Sequence, residues 1–278
     1  MKQPMTCTLK QIPLFALAII AVAALGLFSA SCSDNGSKPK SNNGGVIHGV
    51  PTVLRMIPHD TNAYTQGLLY ADSLLYESTG KQMNQSRLRR IDPYPPEEGK
   101  VLDTVIAPGY LTFAEGLALK DSQFVQLTWV QKIAFVYTYP GMEVIDTLTY
   151  GGQGWGLTND ATRFIMSNGS DTLYFRDDSF DIIRKVNVTL EGEAVSMLNE
   201  LEYVNGKVWA NKYGDDSIYE INPQTGDVTK VIDCSELVAL SAPHAGDEVL
   251  NGIAYNSDAT TYFLTGKNWR YIFEVTIP

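Results

Sequence analysis

The chain has 278 residues, 44% of them hydrophobic and 10% aromatic, with 31 acidic against 21 basic side chains and a formal charge of −10 at pH 7. An acid excess without clustered Lys or Arg argues against nucleic acid or an anionic lipid surface as the partner, because both need concentrated positive charge.

The first elements are not expected to belong to the fold. Residues 1–10 carry Lys2 and Lys10 and no acid, residues 12–28 are apolar, and Ser29-Ala30-Ser31 precede Cys32. That is the layout of an export signal, and a cysteine after small residues is similar to a lipoprotein cleavage box, with Ser29 in place of the usual Leu. We expect residues 1–31 to be removed and Cys32 to be lipidated, giving an exported protein of the bacterial cell envelope, periplasmic or at the cell surface, held to membrane only by its anchor. Loss of Lys2 and Lys10 takes the formal charge from −10 to −12. Residues 32–50 are rich in Gly, Ser and Asn and read as a flexible tether. Cys7 leaves with the signal and Cys32 is modified, so Cys234 stands alone, a small buried side chain without an intrachain disulfide.

From Pro51 onward the pattern is that of one all-β domain, residues 51–278. Residues 53–57 are an apolar strand with no partner ahead of them. Four strand candidates follow at 68–70, 74–78, 87–91 and 101–106, separated by turn residues. The set recurs at 117–119, 124–129, 133–139 and 144–149, at 157–158, 164–167, 172–175 and 182–189, and at 201–204, 208–211, 217–221 and 228–232. The last set, 253–255, 262–265 and 271–277, is one strand short.

Each set opens on one short echo: Gln66-Gly67-Leu68, Glu115-Gly116-Leu117, Trp155-Gly156-Leu157, Asn199-Glu200-Leu201 and Asn251-Gly252-Ile253, spaced 40–52 residues apart. A period of that size in a strand-rich chain marks a β-propeller with one blade per repeat. The orphan strand at 53–57 is the natural fourth strand of the last blade, which closes the ring and leaves no open edge there. The expected fold is a five-bladed β-propeller. The repeated Gly fits innermost strands crowded at an axis.

The first strand of a blade leaves one rim and the second returns to it, so residues opening the first and closing the second share a mouth. One end of the channel should collect Gln66, Glu115, Trp129, Trp155, Asn199, Tyr213, Asn251 and Lys267. Amides, a lysine and a lone carboxylate on an aromatic floor suit a small ligand. A carboxylate beside Gly at a crowded axis must be paired or have a shifted pKa, which sets Glu115 apart as a functional candidate. Glu200 and Glu202 read as surface or pairing groups. His48, His59 and His244 lack metal-ligand spacing, and His59 in Ile57-Pro58-His59-Asp60 reads as structural. No Gly-x-Ser-x-Gly elbow occurs. The glycine-rich run 151–156 lacks a phosphate-loop ending and reads as a turn before the repeat.

At Pro58-His59-Asp60, Tyr64-Thr65-Gln66-Gly67, residues 75–80, Glu115-Gly116-Leu117, residues 126–129, 154–157, 198–202 and 250–254, and Thr265-Gly266-Lys267, the chain resembles the glutamine cyclotransferases of plant and bacterial type, in order across residues 51–278. The resemblance implies a five-bladed propeller that cyclises N-terminal glutamine to pyroglutamate, releases ammonia and needs no catalytic metal or other cofactor. An ion in the channel is left open. It implies Glu115 as the proton-transfer group with Lys267 and Asn199 beside it, and Gln66, Tyr64, Trp129, Trp155, Tyr213 and Asn251 around the substrate. Partners are then peptides or proteins with N-terminal glutamine, or free glutamine, and the protein is expected to act as a monomer. Tyr64 stands where the family usually has Phe, and Tyr213 where many members have Trp. The reading from another class is a propeller that binds a peptide or sugar at the channel mouth without chemistry.

Overall fold

The computed structural model describes residues 45–241 and 248–278. The expected signal, Cys32, the tether before Gly45 and His244 lie outside the described residues. The described chain begins with β1 (Ile47–Gly49) and β2 (Thr52–Pro58), followed by blade 1: β3 (Thr65–Ala71), β4 (Leu74–Thr79), β5 (Arg87–Asp92) and β6 (Lys100–Ile106). Blade 2 is β7 (Ala114–Lys120), β8 (Gln123–Thr128), β9 (Ile133–Thr138) and β10 (Val144–Thr149), and blade 3 is β11 (Leu157–Asn159), β12 (Phe164–Met166), β13 (Thr172–Arg176) and β14 (Ile182–Asn187). A small hairpin, β15 (Thr189–Leu190) and β16 (Glu193–Ala194), leads to blade 4: β17 (Leu198–Val204), β18 (Lys207–Lys212), β19 (Ser217–Ile221) and β20 (Val228–Asp233). After α1 (Ser235–Ser241), blade 5 is β21 (Leu250–Asn256), β22 (Thr261–Gly266) and β23 (Tyr271–Thr276).

Blade 5 is completed by β2, which runs antiparallel to β23 from Thr52 opposite Thr276 to Pro58 opposite Tyr271. The expected closure by an N-terminal strand is therefore what joins the two ends of the ring. The tether expected through residue 50 ends earlier than that. Ile47, His48 and Gly49 pair in parallel with Lys230, Val231 and Ile232 of β20, adding a fifth strand to the outer edge of blade 4. Two further differences have local causes. The strand expected over 182–189 stops at Asn187, since Glu191 and Gly192 take positive φ (52° and 93°) and turn the chain back as the β15–β16 hairpin. The short helix α1 buries Leu237 against the apolar layer between blades 4 and 5.

Burial falls from the axis outward, and the sequence follows it. The innermost strand β7 is almost wholly buried, whereas the outermost β10 is almost wholly exposed. The apolar side chains gather in five clusters, one between each pair of neighbouring blades. At the axis, successive inner strands meet backbone to backbone. A Cβ on Gly116 would lie 2.4 Å from the amide nitrogen of Leu157, and one on Gly156 would lie 1.9 Å from the carbonyl oxygen of Asn199. In blade 4 the repeated position is Glu200 instead of Gly. It is fully buried, and its two carboxyl oxygens accept the backbone N–H of Leu68 (3.3 Å) and of Ile253 (3.0 Å), tying blade 4 to blades 1 and 5. That corrects the reading of Glu200 as a surface or simple pairing group. Burial, together with the neighbouring Glu202, pushes its carboxyl well above the usual range. Glu202, pushed by burial to about 8, accepts the N–H of Tyr255 (3.0 Å) and lines a cavity of about 200 Å³ at the opposite end of the channel.

Candidate active site

Four of the five inner hairpins carry a register shift at their opening, between Thr65 and Gly67, Ala114 and Leu117, Leu198 and Leu201, and Leu250 and Ile253. An extra residue in one strand of a pair bends that strand and re-aims a side chain. Here the displaced residues are Gln66, Glu115, Asn199 and Asn251, the polar members of the repeat. In three of these blades the re-aimed side chain reaches a cavity of about 310 Å³ at the channel mouth, lined by Tyr64, Gln66, Phe113, Glu115, Trp129, Trp155, Asn199, Tyr213 and Lys267.

Glu115 lies at the base of this cavity, 4% exposed. Its backbone is fixed from two sides: Gly116 N–H donates to the carbonyl of Trp155 (2.7 Å), and the Ser78 hydroxyl donates to the carbonyl of Glu115 itself. Gln126 holds Ser78 through an Nε2 donation of 2.8 Å, and the Tyr137 hydroxyl holds Gln126 (2.7 Å). Desolvation raises the Glu115 carboxyl well above its ordinary pKa, and the positive charge of Lys267 opposes that rise without cancelling it. Lys267 is itself 3% exposed, its ammonium 4.7 Å from the ring centroid of Tyr64 and 4.9 Å from that of Tyr213, within cation–π range.

The remaining polar groups are set by their neighbours. Gln66 Oε1 accepts from Asn251 Nδ2 (3.2 Å), which leaves the NH₂ of Gln66 as the end available to a ligand. Asn199 is 2% exposed, and its Oδ1 is buried without a partner among the described residues, so the side chain holds unused hydrogen-bonding capacity. The walls are aromatic. Phe113 meets Tyr64 and Trp129 edge-on, each at 5.9 Å, and Trp155 meets Tyr213 at 6.1 Å. Gly169, at φ +81°, packs beneath the Trp155 indole, where a Cβ would lie 2.7 Å from the ring. Among the described residues no three His, Cys, Asp or Glu side chains gather as metal ligands.

The family model for glutamine cyclotransferase matches residues 22–277. A glutaminyl-peptide cyclotransferase of Arabidopsis thaliana is 36% identical over 230 residues, covering 81% of this chain and 70% of that protein. The crystal structure of a Myxococcus xanthus glutaminyl cyclase superposes with a TM-score of 0.78 at 34% identity, covering 84% of this chain and 98% of the other. The chain belongs to the glutamine cyclotransferase family. The fold and the family expected from the sequence are thus those found.

Within this family member, Glu115, Lys267, Asn199, Gln66, Tyr64, Trp129, Trp155 and Tyr213 all come together at one cavity. Asn251 does not line it. Its side chain is fully buried, donating to the carbonyl of Thr65 (2.9 Å) and to Gln66, so it holds Gln66 in place and does not face the ligand. Two residues near the site were missed. Phe113 is a wall two positions before Glu115, where blade 1 has Tyr64 before Gln66. Gln153, between glycines in the run read as a turn, accepts the indole N–H of both Trp129 (2.9 Å) and Trp155 (3.0 Å). A long amide among glycines was the available signal. His59 is structural as expected: its ring nitrogens lie 2.9 Å from the carbonyl oxygen of Trp269 and 2.9 Å from Glu77.

Proposed function

We propose that this chain cyclises N-terminal glutamine, as a glutaminyl-peptide cyclotransferase, with Glu115 as the proton carrier. The observation that carries the reading is one buried carboxyl, raised in pKa, at the base of a one-residue cavity whose other polar groups are amides and a lysine. At about 310 Å³ the cavity is near the lower end of ligand pockets, ~300–1,000 Å³.

Nucleophile and electrophile belong to the same residue, so the first task is to hold the bent conformer. The walls of Trp129, Phe113 and Trp155 do so and keep out the water that would hydrolyse the side-chain amide to glutamate. The neutral α-amine, whose reference pKa is roughly 7.7–8.0, attacks the side-chain carbonyl carbon and forms the ring C–N bond. Glu115 takes the proton that the amine sheds. The oxyanion that develops is met by Lys267, by the NH₂ of Gln66 and by the side-chain NH₂ of Asn199. Glu115 then returns its proton to the departing nitrogen, the C–NH₂ bond breaks, and ammonia leaves with no net proton gained or lost by the enzyme. A pKa above the ordinary carboxylate range suits a group that must both accept and donate within one turnover.

The steps call for no resident cofactor or catalytic metal, and an ion in the channel would have no part in them. Peptides with N-terminal glutamine and free glutamine both offer the required atoms. The charge and hydropathy pattern of residues 1–32 supports export with a lipid on Cys32, and a monomer suffices because one chain supplies every lining group. The test is ammonia release from a Gln-initiated peptide. Glu115→Gln should lower kcat by about a hundredfold or more with an unchanged melting transition, and near-normal turnover would remove Glu115 from the chemistry.

A further inference from the structure

The walls around Glu115 form a chain of contacts with a single gap. Tyr64 touches Phe113 and Phe113 touches Trp129; on the other side Trp155 touches Tyr213, and the Lys267 ammonium joins Tyr213 back to Tyr64. The gap is between Trp129 and Trp155, which come from different blades and make no ring contact with each other. One atom spans it. Gln153 Oε1 receives the Trp129 N–H at 2.9 Å and the Trp155 N–H at 3.0 Å. An indole nitrogen can only donate, and an amide oxygen has two lone pairs, so one carbonyl fixes both rings and closes the circle.

We infer that Gln153 is a positioning residue for cyclisation, setting the separation and tilt of the two indole walls that hold the bent glutaminyl residue. The inference rests on the cyclotransferase reading of the cavity. Packing alone does not fix the Trp129 ring, which is 37% exposed, whereas Trp155 also rests on Gly169 and Tyr213. The loop that presents Gln153 is itself held: Gly154 N–H donates to the carbonyl of Trp129 (2.9 Å), and a Cβ on Gly154 would lie 2.8 Å from the carbonyl oxygen of Thr128. The side chain of residue 153 is therefore delivered from a fixed backbone to a point between the two rings. It touches no blade core, so its removal should disturb the walls and not the fold.

Two near-isosteric replacements isolate the acceptor. Gln153→Met keeps the size and removes the oxygen; Gln153→Glu keeps an oxygen acceptor. Gln153→Met should raise KM for a Gln-initiated peptide by about fivefold to tenfold, the scale of one or two ordinary hydrogen bonds, with a smaller fall in kcat and an unchanged melting temperature. Gln153→Glu should restore KM to within about twofold of wild type. Acrylamide quenching of tryptophan fluorescence gives a readout independent of turnover. Of the four tryptophans, Trp209 and Trp269 are 3% and 1% exposed, so the accessible emission comes from the two wall indoles, and quenching should rise in the Met variant and not in the Glu variant. Wild-type KM and quenching in Gln153→Met, or a Glu variant as impaired as the Met variant, would overturn the assignment. Failure of the wild-type chain to release ammonia overturns the cyclotransferase reading instead, and leaves the quenching result to judge the clamp.

Discussion

A carboxyl removed from water resists charging, and a nearby ammonium lowers that resistance. Glu115 and Lys267 are such a pair, with desolvation the larger influence on Glu115. If the carboxylate is the base in the bound complex, kcat falls on the acid side as Glu115 protonates. Lys267→Met removes the charge that favours the carboxylate, so the Glu115 pKa rises further and the acid limb of kcat against pH moves to higher pH. The loss of an oxyanion donor should also lower kcat by about a hundredfold. A pH–rate profile separates the two roles: an unmoved limb with reduced kcat would leave Lys267 to the oxyanion alone. Most of these residues were legible because they recur at one position of a repeat or answer to the family's motifs. Asn251 was misplaced because the repeat gives its position on the axis and not the neighbour that claims its amide. Phe113 and Gln153 stand two positions before Glu115 and Trp155, as Tyr64 does before Gln66, but the side chains at that position (Tyr, Phe, Gln, Met and Val) share no chemistry, so the echo shows its place and not its role.

Strands deliver these side chains by a combination of bulge and glycine. The bulge turns the polar residue toward the axis, and the following Gly lets the next blade approach it. Gly156 shows how little room remains, with the Asn199 carbonyl 1.9 Å from where a Cβ would stand. Gly156→Ala forces blades 3 and 4 apart at the rim of the cavity. Overpacking of this kind costs about 1–3 kcal/mol, or several degrees of melting temperature at roughly 2–4 °C per kcal/mol, and Asn199 moves with it, so activity should fall together with stability. Gly151→Ala is the matched control, since a Cβ there meets nothing within 4 Å; calorimetry should place it within about 0.5 kcal/mol of wild type. A melting temperature for Gly156→Ala equal to that of the control would contradict the close approach. The repeat announced these glycines, and the alternation of apolar residues announced the strands. The three-residue β1 carries no comparable signal, because its pairing with β20 uses backbone groups in a stretch whose composition is that of a linker.

Closure depends on β2, and the junction after it is reinforced. Glu77, wholly buried, receives the Thr65 hydroxyl (2.6 Å), faces His59 Nε2 and takes two donations from Arg89, whose third nitrogen reaches Asp60 (2.7 Å). Against the burial that would raise it, the charges of Arg89 and His59 hold the Glu77 carboxyl far below its ordinary pKa. The network binds the end of the closing strand to blade 1. A chain beginning at Thr52 loses only β1 and should keep a cooperative melt and full ammonia release. One beginning at His59 loses the fourth strand of blade 5 and exposes the edge of β23, and should show no cooperative transition and no activity. Equal behaviour of the two truncations, followed by thermal denaturation, would mean that the ring holds without its clasp.

The strand that shuts the ring is synthesised before any blade, and its mate β23 after all the others. The cavity draws Tyr64 and Gln66 from blade 1 and Lys267 from blade 5. A ribosome that stops anywhere short of the last blade therefore yields a product with no partial activity, because the first and last blades made must meet before the cavity exists.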